Sequence, residues 1–521
     1  MKLRKTGVLA LTLMLLWPGS GAMASMSQSL HQASSFDINS ANNRALLELQ
    51  QVYYILQENH LDKPSEKKLV QGALQGVQQY IKAEKRAEVV VDEKDDTVQE
   101  MVDRIKQWQA QEKLDWNTVS YYGIEGMLTQ VNDPYTTLFT EGELDQFQNS
   151  VNNNFVGFGI MFRKTDNGIF VRKVVENSPA AIAGISSGDK LEAVDGNKIT
   201  VQHLAELIKM LQGEEGTSAT LTFSKSGTTQ KKDYTIKRSP LIMPEATSHL
   251  FTSKSATIGY IRLDTFGSDA GDQFKEQLDK LENNQKKLTG LVIDLRDNGG
   301  GYLSAAKEIA SLFMEDGLLM YTTNRNGVEV ENWVRNGRQA PYPITILVNG
   351  QTASASELLS GALQDHKIAK LIGSKTFGKG IAQTVLPLVE GDALKVTLQE
   401  YLTPAHRKVN KIGLEPDIVI TDDISQVVEA LYELGEKRIE VRQKSDYEVV
   451  VNGVTFYTIS PILKKIGNSL NIRSTFMQSM LREKTAVPAE YRPIVSVTNP
   501  TVTFTWKKEN NEFIFISQLK E

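Results

Sequence analysis

The chain has 521 residues, of which 40% are hydrophobic and 23% charged, with 58 basic against 63 acidic residues and a net charge of −5. That is an ordinary globular balance over a length that holds several domains, and it excludes a basic nucleic-acid binder. There is no cysteine, so disulfides, thiol catalysis and cysteine-based metal sites are excluded, and the six histidines show no metal-ligand spacing.

Lys2, Arg4 and Lys5 precede an apolar run from Val8 to Trp17, which Pro18 and Gly19 break. Ala22-Met23-Ala24 puts small residues at the two positions a signal peptidase reads, so residues 1–24 are expected to be an export signal. The run is too short to span a bilayer comfortably, and the protein is expected to be extracytoplasmic: secreted, periplasmic or wall-associated.

Residues 36–150 read as a helical region. Leu46, Leu49, Val52, Tyr53 and Leu56 recur at three and four, which marks one apolar face. Residues 83–113 are more charged and read as a solvated insertion or an exposed helix pair. From 151 to 240 the texture changes to short strands and turns. From 241 to 425 apolar strands ("ATIGYIRLDTF", "LTGLVIDLR", "PITILVN", "AKLIG") alternate with helices ("AGDQFKEQLDKLEN", "SAAKEIASLFM", "SELLSGALQD"), which predicts a layered α/β core. Residues 426–521 are expected to form a separate small α+β unit, a helix followed by β-rich sequence.

Two stretches imitate known motifs. "GSKTFGKGIAQT" nearly spells a phosphate loop from Gly373 to Lys379, but Gly380 replaces the Ser/Thr and a strand-like run follows where a helix is required. Gly184-Ile185-Ser186-Ser187-Gly188 matches the hydrolase pattern G-x-S-x-G, yet lies between a short helix and a strand, so Ser186 reads as a turn residue.

A stronger signal is "LVNGQTASASELLSGALQD". Ser354 opens a helix with Glu357 three positions on, a capping box, and the same geometry would present the hydroxyl and the Ala355 N–H at the positive end of a helix dipole. Histidine is the usual base, but His366 lies about three turns down that helix, too far from Ser354. His406 and His249 stay open as bases, and so does a lysine, which must be buried to lose its charge near neutral pH. Lys379 stands between Gly378 and Gly380, which would let the backbone turn it inward. Gln383 shares a strand face with Ile381 and Val385 and needs a partner, and the chain must bend near Gly380 for its amide to meet Lys379. "IDLRDNGGG" ends a strand in glycines whose N–H groups could face a cavity as a second oxyanion donor.

Together these stretches resemble the C-terminal processing peptidases, or tail-specific proteases. The resemblance covers roughly residues 110–420 and rests on Asp133-Pro134-Tyr135-Thr136, "NSPAAIAGISSGDKLEAVDG", "LVIDLRDNGGG", "TASASELLSGALQD", "GSKTFGKGIAQ" and "GLEPDIVI". It implies an α+β catalytic core of the ClpP/crotonase-like type with an inserted PDZ domain at 151–240. It implies a serine endopeptidase with Ser354 as nucleophile, Lys379 as general base, Gln383 positioning the lysine, and the Ala355 and Gly300 amides as oxyanion donors. Gly157, Phe158, Gly159 and Ile160 match a PDZ carboxylate-binding loop, with "VQHLAELIKML" as the groove helix. No metal or cofactor is implied. The partners implied are protein or peptide substrates held by the carboxyl terminus, with a homodimer through the N-terminal helices and association with the cell envelope as further expectations. The last unit vaguely resembles small wall-associated modules of the copper amine oxidase N-terminal type. The competing readings are a non-catalytic PDZ adaptor, in which Ser354 only caps a helix, and a metal- or histidine-dependent hydrolase using His366 or His406.

Overall fold

The computed structural model describes residues 41–165, 168–199, 213–225, 230–444 and 448–458, with shorter stretches at 14–15, 207, 210–211, 461–466, 469–473, 476, 497–498, 502–509 and 512–519. Apart from Met14 and Leu15, the expected export signal lies outside the described residues.

Four helices, α1 (Ala41–Asn59), α2 (Glu66–Tyr80), α3 (Val98–Glu112) and α4 (Trp116–Gln130), pack around one apolar core that includes Leu49, Val52 and Leu56. Gly76 and Gly126 allow α2 and α4 to touch backbone to backbone, since a Cβ on Gly76 would lie 2.1 Å from the Tyr122 carbonyl oxygen. The charged stretch holds a single helix, α3, capped reciprocally by Thr97 and Glu100, and its Met101, Val102, Ile105 and Trp108 are buried. A short strand β1 (Thr137–Phe139) and helix α5 (Glu141–Val151) follow.

Residues 160–237 carry a six-stranded antiparallel sheet packed around Phe158, Val171, Leu191, Leu221 and Phe223. Of the expected groove helix, Leu207, Met210 and Leu211 are described, each helical, and the rest lies outside the described residues.

The core then runs β2 (Ala246–Thr252), β3 (Thr257–Leu263), α6 (Ala270–Glu282), β4 (Gly290–Asp294), α7 (Leu303–Ser311), β5 (Gly317–Asn324), β6 (Glu329–Val334), β7 (Ile344–Val348), α8 (Ala355–Asp365), β8 (Ala369–Gly373), β9 (Ile381–Pro387), β10 (Ala393–Leu402), β11 (Ile418–Val419) and α9 (Asp423–Glu433). One sheet has the order β2-β3-β4-β7-β8-β11, parallel except at the β2 edge. Its central strands β4 and β7 are buried along their whole length, as expected for parallel strands covered on both faces. Helices α6, α7 and α8 cover one face. A second, antiparallel sheet carries β9, β10, β5 and β6, with β1 paired on β10.

The expected boundary at 425/426 falls inside α9, whose Ile424, Val427, Val428 and Leu431 pack on the other face of the parallel sheet. Ile439, Val441, Val449, Val451 and Phe456 share that same core with Phe251, Tyr260 and Val292. Without this cover, the second face of a fully apolar sheet would meet water. Among the described residues no helix is long and apolar enough to cross a membrane.

Candidate active site

Three adjacent parallel strands, β4, β7 and β8, end on the same side of the sheet, and the loops after them carry Gly300, Ser354 and Lys379. Sites outside the carboxyl ends of parallel strands follow from this geometry, because each strand delivers a loop to one crevice.

Ser354 sits at the N-terminus of α8 with φ 61° and ψ −120°. A side chain pays steric strain in that region, which persists only where the surroundings enforce it. Half of the expected capping box forms: Glu357 Oε2 accepts the Ser354 N–H at 2.9 Å. The other half does not, and the buried Ser354 Oγ has no hydrogen-bond partner. The serine is therefore held by its backbone while its hydroxyl stays uncommitted.

Glu357 also organises the lysine loop. Its Oε2 accepts the Lys379 N–H at 2.8 Å, and its Oε1 accepts the Gly378 N–H at 2.7 Å and the Thr376 hydroxyl. One carboxylate oxygen thus holds the main chains of Ser354 and Lys379 together. The two glycines beside the lysine act as expected: Gly378 has φ +92°, and a Cβ on Gly380 would lie 2.3 Å from the Asn410 nitrogen.

Lys379 is 1% exposed and its Nζ has no hydrogen-bond partner. The nitrogen lies 4.4 Å from the centre of the Tyr135 ring. Burial, then the charge of Lys395, push its pKa well below the ordinary lysine value, against the opposing pull of Asp133 and Glu357. Gln383 is fully buried one step past a β-bulge at Ala382. Its Nε2 donates to Thr397 Oγ1 at 3.2 Å, while its Oε1 has no partner. No hydrogen bond joins Lys379 to Gln383 or to Ser354; each of the three side chains presents a buried polar atom without a partner.

The Ala355 N–H has no acceptor among the described residues. Gly300 is packed against the serine, since a Cβ there would lie 2.8 Å from Ser354 Cβ and 2.9 Å from the Ala355 nitrogen. Its N–H, expected as a free oxyanion donor, is instead taken by Asn298 Oδ1 at 2.8 Å. The Asx-type turn that shapes the glycine loop uses that donor locally. Met14 and Leu15 lie as a two-residue parallel strand beside this loop, Met14 opposite Gly301 and Leu15 opposite both Tyr302 and Gln383. The crevice accepts an extended chain between the glycine loop and β9.

The model of peptidase family S41 matches residues 257–420, and a PDZ model matches residues 170–225. A carboxyl-terminal-processing protease of Synechocystis is 33% identical over 314 residues, 60% of this chain and 73% of its own length. The carboxy-terminal processing protease CtpB of Bacillus subtilis is 30% identical over 59% of this chain and 64% of its own. The solved photosystem II D1 C-terminal processing protease aligns over 75% of this chain and 97% of its own at 24% identity, with a TM-score of 0.47. The chain belongs to the carboxyl-terminal processing proteases of family S41.

It is accordingly a serine-type peptidase with a PDZ domain, and nothing favours the non-catalytic adaptor. In that domain the N–H groups of Phe158 and Gly159 donate to nothing among the described residues. Gly159 has φ +81°, and a Cβ there would strike Ser178, so the loop must carry glycine. Gly157, Phe158, Gly159 and Ile160 line one end of a cavity of about 590 Å³ walled by Leu207, Leu211, Leu241 and Met243. The histidine rivals are occupied elsewhere: His366 Nε2 lies 2.8 Å from the Leu318 carbonyl, and His406 is stacked on Tyr321. Ser186 lies in a turn, its N–H on Asp189 Oδ2, as read from the sequence.

Sequence reasoning missed four residues of this processing protease. Glu357 was read as a cap only. Asp133 was quoted within a motif, without the cluster it builds: its carboxylate accepts from the Tyr135 N–H and the Thr136 hydroxyl, and from His60 Nε2 at 3.3 Å. His60 Nδ1 accepts the Asp62 N–H, which fixes the proton on Nε2. Burial would raise Asp133, but these donors outweigh it and hold the carboxyl down at about 2. The fourth residue is Lys395. An isolated lysine on an alternating strand carries no local signal of burial; only the packing of β1 and α5 over β10 buries it.

Proposed function

We propose that this processing protease cleaves protein chains held by their carboxyl-terminal tail, with Ser354 as nucleophile and Lys379 as general base. The observation that carries the reading is the burial, without hydrogen-bond partners, of Ser354 Oγ, Lys379 Nζ and Gln383 Oε1, with the Ser354 and Lys379 main chains tied to one Glu357 oxygen. A buried donor or acceptor left unmade costs about 1–3 kcal/mol, so three together are kept for use by a substrate or by one another.

The substrate lies extended where Met14–Leu15 runs. Neutral Lys379 takes the Ser354 proton as Oγ attacks the scissile carbonyl carbon. The Ala355 N–H stabilises the oxyanion at the helix N-terminus, and Gly300 joins it by exchanging Asn298 for the oxyanion. Lys379 then gives its proton to the leaving amine, and water releases the acyl group by the same route. Gln383 accepts from the Lys379 amine and sets its direction. The PDZ loop holds the terminal carboxylate with its free N–H groups, and the tail adds along the sheet edge. Export follows from the basic-then-apolar start of the chain, which places the enzyme and its substrates outside the cytoplasm; envelope association and a dimer through the N-terminal helices complete the reading.

The test compares the wild type with Ser354→Ala and Lys379→Ala on an unfolded peptide with an apolar carboxyl terminus. Both variants are expected to lose turnover, and full turnover in the lysine variant would overturn the dyad. Amidation of the peptide's terminus is expected to raise KM; an unchanged KM would remove the PDZ part of the reading.

A further inference from the structure

Lys395 is a second buried lysine in this region, and the chemistry above does not use it. It is 2% exposed and stands on β10 opposite Val385 of β9 and Thr137 of β1. Its Nζ lies 5.1 Å from the centre of the Phe139 ring and 5.0 Å from that of Phe147, and these two rings stack 4.7 Å apart. A desolvated ammonium facing two aromatic rings is stabilised by their quadrupoles.

The two lysines are linked through one strap and one strand face. Tyr135, whose ring underlies Lys379, is two residues from Thr137, which pairs with Lys395. Side chains alternate along a strand, so Lys395 and Thr397 share a face of β10, and Thr397 is the acceptor for the Gln383 amide. The groups that act on Lys379 are Lys395 from β10, Asp133 and Tyr135 from the strap and Glu357 from α8. Asp133 has its donors in His60, Tyr135 and Thr136, and Glu357 has four of its own, so neither forms a contact ion pair with a lysine.

Two like charges in a desolvated pocket repel strongly, so the first proton to leave comes off the less stabilised amine. Lys395 has a two-ring cage; Lys379 has one ring. We propose that Lys395 is an electrostatic positioning residue, whose caged ammonium keeps Lys379 unprotonated and so ready to act as base near neutral pH. This rests on the reading of Lys379 as the base. The titration behaviour agrees in direction: burial lowers Lys395 only to about 8, against the pull of Asp133, while Lys379 lies well below its ordinary value.

The experiment follows kcat/KM against pH, from 5 to 10, for the full chain, Lys395→Met and Lys395→Arg on one fluorogenic peptide. Lys395→Met is expected to move the acid-limb midpoint up by about one unit, so that activity below the midpoint falls about tenfold and recovers in alkali. Lys395→Arg keeps the charge and is expected to keep the wild-type midpoint. An unmoved midpoint in Lys395→Met overturns the proposal, whatever happens to the plateau, because loss of packing scales a profile without shifting it. If that variant fails to fold, Phe147→Leu opens the cage and is expected to shift the midpoint the same way; no shift there overturns it equally. Lys379→Ala separates the two ideas: full turnover in it defeats the base itself, whereas an inactive Lys379→Ala beside an unshifted Lys395→Met defeats only the role of Lys395.

Discussion

Two groups of buried polar residues lie near the loop that follows β4, and they are built in opposite ways. In the first, Asp294 is fully buried and accepts from Arg296 Nε at 2.8 Å, Arg296 Nη2 at 2.6 Å and the Tyr260 hydroxyl. Arg296 in turn donates to the Asp423 carbonyl and to Gln426 of α9. Burial would raise the Asp294 pKa, but the arginine charges outweigh it and hold the carboxyl well below the usual range. In the second, Ser354 Oγ, Lys379 Nζ and Gln383 Oε1 are equally buried and have no partner. The first cluster is closed and ties the loop to α9. The second is kept open by the strained serine backbone and by Glu357, which spends its own lone pairs on main-chain donors. The first cluster pairs its charges, and the second leaves its polar atoms unpaired.

That contrast breaks or sharpens on substitution. Lys379→Met should abolish turnover by at least about 10³-fold while raising Tm, because it replaces an unpaired buried amine by an apolar chain of similar shape. The sign with pH follows from the Lys379 pKa being lower in the folded chain than in the unfolded one. The unfolded chain binds the extra proton, so wild-type stability gains from this group as pH rises from its lowered folded value towards about 10.4, and the variant should lack that gain. A lower Tm in Lys379→Met would place the lysine with the closed cluster instead.

Arg296→Met attacks the closed cluster and leaves Asp294 buried without its main counter-charge. A loss of about 3–5 kcal/mol is expected in urea unfolding. A loss below about 1 kcal/mol would mean that α9 and the C-terminal strands hold the loop without the ion pair. Glu357→Gln lies between the two clusters, since it keeps the shape but gives up one acceptor oxygen. It should lower kcat up to about 100-fold with little change in KM, the signature of a misplaced reacting group. Thr397→Val removes the acceptor of the Gln383 amide and one of the groups that hold Asp133 down, and a cost of about 1 kcal/mol, a few-fold in kcat/KM, is the smallest expected effect.

Much of this was legible in one dimension because it is local. Alternating strands and helices announced the layered core, the glycines around Lys379 announced a close main-chain approach, and serine with glutamate three positions on announced a helix start. Each signal depends on neighbours within a turn or two, where chain geometry alone sets what can meet. The misses have one cause. The strained φ of Ser354, the Asn298 bond that occupies Gly300, the second duty of Glu357 and the burial of Lys395 depend on segments far apart in the chain, and no residue type encodes its distant partners.

The amino-acid order by itself determined the kind of molecule this is: an α/β peptidase with a PDZ insertion, a serine at a helix start and a lysine between glycines. Tertiary structure alone decided that strands β4, β7 and β8 end side by side and carry the loops of those residues, that Ile439, Val441, Val449 and Val451 join the core of the parallel sheet, and that a second lysine is buried on β10. The physical reason is that a pKa and an unmade hydrogen bond are properties of an environment, and burial is supplied by whatever the chain folds on top of it.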